Sequence, residues 1–175
     1  FNVPILVDLI DEANEKATIT LSNPTNATIP LSSAQIGSDL DGEAASDYSG
    51  RSVTISEDGS IVAIGAYAND GNGSASGHVR VYQNVSGTWT QIGSDIDGES
   101  SGDSSGISVS LSGNGSILAI GAVGNDGTAS SAGHVRVYQN VSDTWSQIGS
   151  DIDGEAAYDS SGGSVSLSDD GSIVA

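Results

Sequence analysis

From Ser108 to Ser112 the chain alternates polar and apolar residues, Ser-Val-Ser-Leu-Ser, the mark of a strand with one buried face. Gly113-Asn114-Gly115 then supplies residues that tolerate positive φ, a turn signal. Ile117 to Ala122 follows as a continuous apolar run, short enough for a strand buried on both sides. Asn125-Asp126-Gly127 opens a loop of small residues that lasts to Gly133. Beyond it Val135 and Val137 point one way, while His134, Arg136 and Tyr138 point the other. Asn140-Val141-Ser142-Asp143 turns the chain, and Trp145-Ser146-Gln147-Ile148 predicts a fourth strand. No part of this unit carries helical periodicity.

The same pattern recurs. Gly77 to Gln83 returns as Gly133 to Gln139, a period of 56 residues, and Trp89 returns as Trp145. Ile36-Gly37-Ser38-Asp39 returns at Ile92 and Ile148 with no insertion. A fixed period of this length means units of one structure that stack on each other. Four short antiparallel strands per unit, joined by tight turns, predict an all-β chain forming a partial β-propeller of tandem 56-residue four-stranded blades. A single four-stranded sheet cannot bury both faces, whereas neighbouring blades bury each other's. A β-solenoid is the competing architecture, but its coils are shorter and parallel and lack hairpin turns such as Glu57-Asp58-Gly59. The expected blades are 36–91, 92–147 and an incomplete 148–175, inside a propeller region 30–175. Gly171 to Ala175 repeats Gly59 to Ala63, where the sequence runs on as Ile64-Gly65-Ala66, so both chain ends are expected to be artificial.

Charge narrows the choice of partner. Formal net charge is −19, from 23 acids against Lys16, Arg51, Arg80 and Arg136. Nucleic acid and anionic membrane surfaces are therefore poor partners, because like charges would have to be brought together. No Cys is present, which removes disulfides, thiolate metal sites and thiol nucleophiles. No stretch is long enough to insert in a bilayer.

The most regular polar feature is an acidic linker between units. Asp39, Asp41, Glu43 and Asp47 recur as Asp95, Asp97, Glu99 and Asp103, and again as Asp151, Asp153, Glu155 and Asp159. Alternate carboxylates on a turning backbone suit a hard cation such as Ca²⁺, which takes six to eight oxygens. The offsets match the first ligand positions of an EF-hand loop, but Ala44, Ser100 or Ala156 stands where that loop needs Gly. Gly50, Gly106 or Gly162 stands where it needs a bidentate Glu. The competing reading is an Asx-type turn whose acids are solvated or cap backbone N–H groups. Repetition does not choose between the two.

Arg80 and Arg136 occupy one blade position and are expected to form forked pairs with linker carboxylates. His78 and His134 come one per blade with no second His or Cys nearby, which is not a zinc pattern. No G-x-S-x-G elbow supports a Ser-His-Asp triad. Trp89, Trp145, Tyr82 and Tyr138 are expected to pack between blades rather than stack on sugars.

Ser105-Gly106-Ile107-Ser108-Val109, Leu118-Ala119-Ile120-Gly121-Ala122 and Gly133-His134-Val135-Arg136-Val137-Tyr138 together resemble the FG-GAP repeat. That family builds the seven-bladed propeller of integrin α-subunits and of many bacterial surface proteins. The likeness covers Ala34 to Ala175, with Ser49, Ser105 and Ser161 in place of the motif Phe and Tyr67 and Val123 in place of its Pro. The family's frequent D-x-D-x-D-G calcium loop is missing from the hairpins Ser56 to Gly59, Ser112 to Gly115 and Ser168 to Gly171. Asp11 to Pro24, with its acidic loop and alternating strand ending in Leu-Ser-Asn-Pro, resembles the close of a Calx-β domain and assigns residues 1–29 to it. Ala17 to Leu21 and Asn26 to Ile29 are its expected strands. The two resemblances imply a large extracellular or cell-surface protein in adhesion or matrix contact, with a protein or glycan ligand and Ca²⁺ as an aid. They imply no enzyme activity in this segment and further propeller blades of the same chain as neighbours. A purely structural spacer and an accessory domain of a secreted hydrolase are the alternatives.

Overall fold

The computed structural model describes residues 35–175. The Calx-β-like segment 1–29, with its two expected strands, lies outside the described residues. Ten strands follow, in two repeats. β1 (Ser52–Ile55), β2 (Ile61–Ala66), β3 (His78–Val85), β4 (Thr88–Gln91) and β5 (Ile96–Asp97) make one antiparallel sheet. β6 (Ser105–Leu111), β7 (Ile117–Ala122), β8 (His134–Val141), β9 (Thr144–Gln147) and β10 (Ile152–Asp153) make the second. Among the described residues there is no helix. The chain is all-β, its two sheets are propeller-type blades, and they are not closed into a ring.

Each apolar–polar pattern becomes a strand for the expected reason. Ile117 to Ala122 is buried along its whole length, because β6 and β8 flank it, the first sheet packs on one face and the third-repeat segment lies on the other. The turn between β8 and β9 places Ser142 and Asp143 at φ +52° and +61°, the left-handed pair that a tight hairpin with right-twisted strands demands. In the first repeat Ser86 and Gly87 take the same two positions.

One expectation needs correcting. The linkers do not begin as turns at Asp95 and Asp151. Val79 pairs with Ile96 and His78 with Asp97, on the same edge of β3 that β4 occupies further along. Between them Ile92 N–H donates to Val81 O at 2.9 Å. β4 and β5 are thus one outer strand broken at Gly93, where φ is +76°. The polar–apolar–polar run Asp95-Ile96-Asp97 is a strand pattern that the flanking acids disguised. Gln35–Leu40, the first copy of the sequence that recurs as Gln91–Ile96, forms no strand.

Blade-to-blade contact carries the core. Ala63, Val79 and Val81 of the first sheet pack in one cluster with Leu111, Leu118, Ile120 and Tyr138 of the second, joined by Ile92 and Ile96 of the connecting segment. The repeat itself shows what this contact buries. Leu111 is 7% exposed, but Ile55 at the same blade position, on the outer face of the first sheet, is 58% exposed. Ile96 is 7% exposed, and its counterpart Ile152 is 45%. Each such residue gains on the order of 1 kcal/mol from the neighbouring blade alone.

The approach is closest at Gly65 and Gly121. A Cβ on Gly65 would overlap Gly106 O of the next blade and Ser52 Oγ, and one on Gly121 would overlap Gly162 O and Ser108 Oγ. Ser52 Oγ–H donates to Gly106 O at 2.6 Å, and Ser108 Oγ–H to Gly162 O at 2.6 Å. Thr54 Oγ1 accepts from Leu111 N–H, and Ser110 Oγ from Leu167 N–H. Glu57 N–H donates to Gly113 O, and Gly113 N–H to Asp169 O, both at 2.8 Å. Polar strand positions therefore stitch neighbouring blades where the alternation alone would have sent them to solvent. Beyond β10, Ser166 and Ala175 exchange backbone hydrogen bonds of 2.8 and 2.9 Å, the first hairpin of a third repeat.

Gly121→Ala should force the second blade and the third-repeat hairpin apart and destabilise the chain by about 1–3 kcal/mol, the usual range for overpacking. Urea unfolding reads this as a lower midpoint with an unchanged slope. An unchanged midpoint would mean that the sheets do not approach at this glycine.

Candidate functional site

The acids of each linker stand in different surroundings. Asp39, Asp95 and Asp151 accept from the amide Nε2 of Gln35, Gln91 and Gln147 at 2.6–2.7 Å. Asp41, Asp97 and Asp153 are exposed. Asp47 is buried, and its Oδ2 accepts from Ala44 N–H at 3.2 Å and from Asn69 Nδ2 at 2.8 Å. Asp103 does the same with Ser100 N–H (2.9 Å) and Asn125 Nδ2 (3.2 Å). Asp159 accepts from Ala156 N–H at 2.7 Å. These last three acids cap their own turns.

Asn69 and Asn125 complete the arrangement. Each is buried at the start of the loop between the second and third strands of its blade, and its Oδ1 accepts from the glycine N–H two residues on, at 2.8 Å. The side chain thus pins that loop to the linker. In the sequence Asn125 reads only as a loop opener. Its identical place in both repeats was the signal that marked it.

Glu43 and Glu99 turn inward from the linker. Arg80 pairs with Glu43, and its Nε donates to Asp95 Oδ2 at 3.2 Å, so one guanidinium ties the linkers before and after its blade. It bridges two carboxylates rather than forking onto one. Arg136 stands differently. Its Nη2 donates to Asp97 O at 2.8 Å, its Nη1 lies 3.5 Å from Glu99, and its Cζ sits 5.6 Å from the centre of the Tyr138 ring.

The histidines, one per blade in sequence, stand between two linkers in space. Among the described residues, two groups of three potential metal ligands have their atoms within 4.8 Å of one another: Glu43, His78 and Asp95, and Glu99, His134 and Asp151. Neither group is the set of acids from a single linker, and Glu155 lies exposed outside both. His134 Nδ1 is 3.5 Å from Asp151 Oδ2. Burial holds the His134 ring below its ordinary pKa, with Arg136 adding to the effect and Asp151, Glu99 and Asp103 opposing it. Trp145 packs against the cluster shared by the blades and its Nε1–H donates to Ile92 O (3.2 Å), while Trp89 Nε1–H donates to Ile36 O (3.0 Å).

The hairpin between the first two strands of each blade is too well filled to hold an ion. Asp58 Oδ1 accepts from Ser56 Oγ, Ser60 N–H and Ser60 Oγ at 2.7–2.9 Å. Asn114 Oδ1 makes the equivalent three contacts at 2.7–2.9 Å in the second blade. A neutral amide serving in place of a carboxylate shows that the turn needs an acceptor, not a cation ligand. In the third repeat Asp170 takes this position. Bonds from Ser168 Oγ and from the Ser172 amide and hydroxyl lower its pKa to about 2.

Residues 39–82 match the FG-GAP repeat. The match runs from the first linker acid through β1 and β2 into β3, and 95–138 repeats its pattern. This FG-GAP segment agrees with the blade geometry and points to an integrin-like β-propeller module. No curated protein matches the chain. Among the described residues no helix is long and apolar enough to cross a membrane.

Two outcomes follow from the site. Arg80→Lys keeps the charge but cannot span Glu43 and Asp95, and both carboxylates are partly exposed, so the loss should be about 1 kcal/mol. Thermal melts should show a drop of about 2–4 °C that shrinks at high salt; equal melting of the two proteins would contradict the bridge. Asp170 contributes stability above its ordinary pKa of 3.8, lost as pH falls through about 2. Asp170→Asn, copying Asn114, should therefore leave stability at neutral pH unchanged and flatten the acid limb of a pH–stability curve. Parallel acid limbs for the two proteins would rule this out.

Proposed function

We propose that this chain is part of a non-catalytic binding module, acting at the cell surface or outside it, whose blades carry an acidic rim for a protein or glycan ligand. The observation that supports it most is the way two loops of each repeat are welded into one surface. In the first repeat Asn72 Nδ2 donates to Gly98 O (2.8 Å) and Glu99 O (3.1 Å), and Gly102 N–H donates to Ser74 O (2.9 Å). In the second, Thr128 Oγ1–H donates to Gly154 O (2.7 Å), and Tyr158 N–H to Ser130 O (2.9 Å). A surface fixed before contact spends little ordering free energy on binding. The repeat presents that surface again on each blade, as ligand arrays of surface proteins require.

Charge sets the ligand chemistry. Asp97 and Asp153 stand on the rim beside the exposed Asp70 and Asp126, so a basic protein segment, or a glycan bridged by cations, suits it. Ca²⁺ takes part in this reading through the outward carboxylates Asp41, Asp97 and Asp153, since Asp47, Asp103 and Asp159 are committed to their turns. Immobilised chain should retain members of a panel of glycans and basic matrix proteins, with retention reduced several-fold in Asp97→Asn/Asp153→Asn and by Ca²⁺ removal. Absence of retention with and without Ca²⁺ would favour a structural spacer instead.

A further inference from the structure

His134 is 1% exposed, and neither Nδ1 nor Nε2 has a hydrogen-bond partner. A buried ring with both nitrogens unpaired is rare in folded proteins and signals a partner the protein does not itself supply. Around it, Glu99 from the linker before the blade and Asp151 from the linker after it bring carboxylate oxygens to within 4.8 Å of a ring nitrogen and of each other. Two negative charges and an imidazole lone pair converge, and the neighbouring cation reaches only one of them, Arg136 Nη1 lying 3.5 Å from Glu99. Arg136 Nε is itself buried without a partner, and its Nη2 is spent on Asp97 O.

The first blade supplies an internal comparison. Glu43, His78 and Asp95 repeat the same three side chains, but there Arg80 reaches in and pairs with both carboxylates. One copy of the constellation is thus bridged by a guanidinium that pairs with both carboxylates, whereas in the other the guanidinium reaches Glu99 alone.

We propose that Glu99, His134 and Asp151 form a binding site for a first-row divalent transition metal such as Zn²⁺, and that Arg80 occupies the equivalent place in the first blade as a built-in cation. One imidazole nitrogen with two carboxylates, leaving a position open, is a donor set for such ions, whereas Ca²⁺ requires six to eight oxygens. At metal–ligand lengths of about 2.0–2.2 Å, tetrahedral neighbours stand about 3.4 Å apart, and the His134 Nδ1–Asp151 Oδ2 separation is already 3.5 Å. Glu99 is half-exposed and closes the remaining gap by side-chain rotation, leaving Arg136 Nη1 as it does so. The bound ion would tie the linkers on either side of the second blade, as Arg80 ties those of the first. Its ligands are not the rim carboxylates Asp97 and Asp153, so substitutions at the two sets test it and ligand retention separately.

Calorimetric titration of the 175-residue chain with Zn²⁺, beside Co²⁺ titration followed by visible absorption, tests it. One equivalent should bind, with the Co²⁺ bands of a low-coordinate nitrogen–oxygen site, unaffected by excess Ca²⁺. Asp151→Asn, at a partly exposed position that the fold tolerates, should weaken binding by about tenfold or more, and His134→Asn should abolish the bands. Arg80→Gln should raise the stoichiometry to two. No binding, binding that Asp151→Asn leaves unchanged, or displacement by Ca²⁺ would mean adventitious attraction to an acidic surface and overturn the site. A stoichiometry that stays at one in Arg80→Gln, with folding shown by an unchanged circular dichroism spectrum, would overturn the role given to Arg80.

Discussion

The approach of Gly65 to the Gly106 carbonyl, repeated by Gly121 and Gly162, sets the distance at which one sheet lies on the next. The apolar cluster shared by the two sheets depends on that distance. At this spacing Leu111 and Ile96 leave water, and Ser52, Thr54, Ser108 and Ser110 can reach across to backbone groups of the neighbouring blade. A side chain at either glycine would hold the sheets apart and uncover the cluster that joins them. The repeat is therefore a packing requirement: each blade is half of two interfaces, and equivalent halves fit because Gly65 and Gly121 and the hydroxyls of Ser52, Thr54, Ser108 and Ser110 recur where they meet.

The same constraint explains the acidic linkers. A segment that leaves one blade's outer edge and enters the next blade must turn sharply while many of its backbone N–H groups lose water. Asp47, Asp103 and Asp159 each cap an amide of their own turn, and Asn69 and Asn125 hold the adjacent loop against the first two. Part of the net charge of −19 is thus structural, and it is offset locally by Arg80 and Arg136 rather than spread evenly over the surface. The acids left facing outward, Asp41, Asp97 and Asp153, give the rim its sign.

Much of the fold was legible in the sequence because strands and turns announce themselves locally. Ile117–Ala122 spans the apolar run residue for residue, and the turn at Ser142 and Asp143 falls where polar residues interrupt the pattern. β5 and β10 were not legible. Two residues between acids look like a linker, and only the free edge of β3 or β8 makes them strands. The carboxylate neighbours of the third-strand histidines were not legible for a related reason. Sequence spacing showed one His per repeat and no companion ligand, yet Glu99, His134 and Asp151 come from three separate segments that meet only when the blade closes between its two linkers. The difference between Arg80 and Arg136, identical in sequence context, is invisible without the geometry.

Native-state hydrogen exchange tests the dependence on blade-to-blade contact most directly. If the sheets share one core, the amides of β2, β3, β7 and β8 should exchange through a single cooperative opening with one free energy and one denaturant slope. Two distinct openings, with the first sheet exchanging independently of the second, would show that each blade stands by itself and would contradict the account.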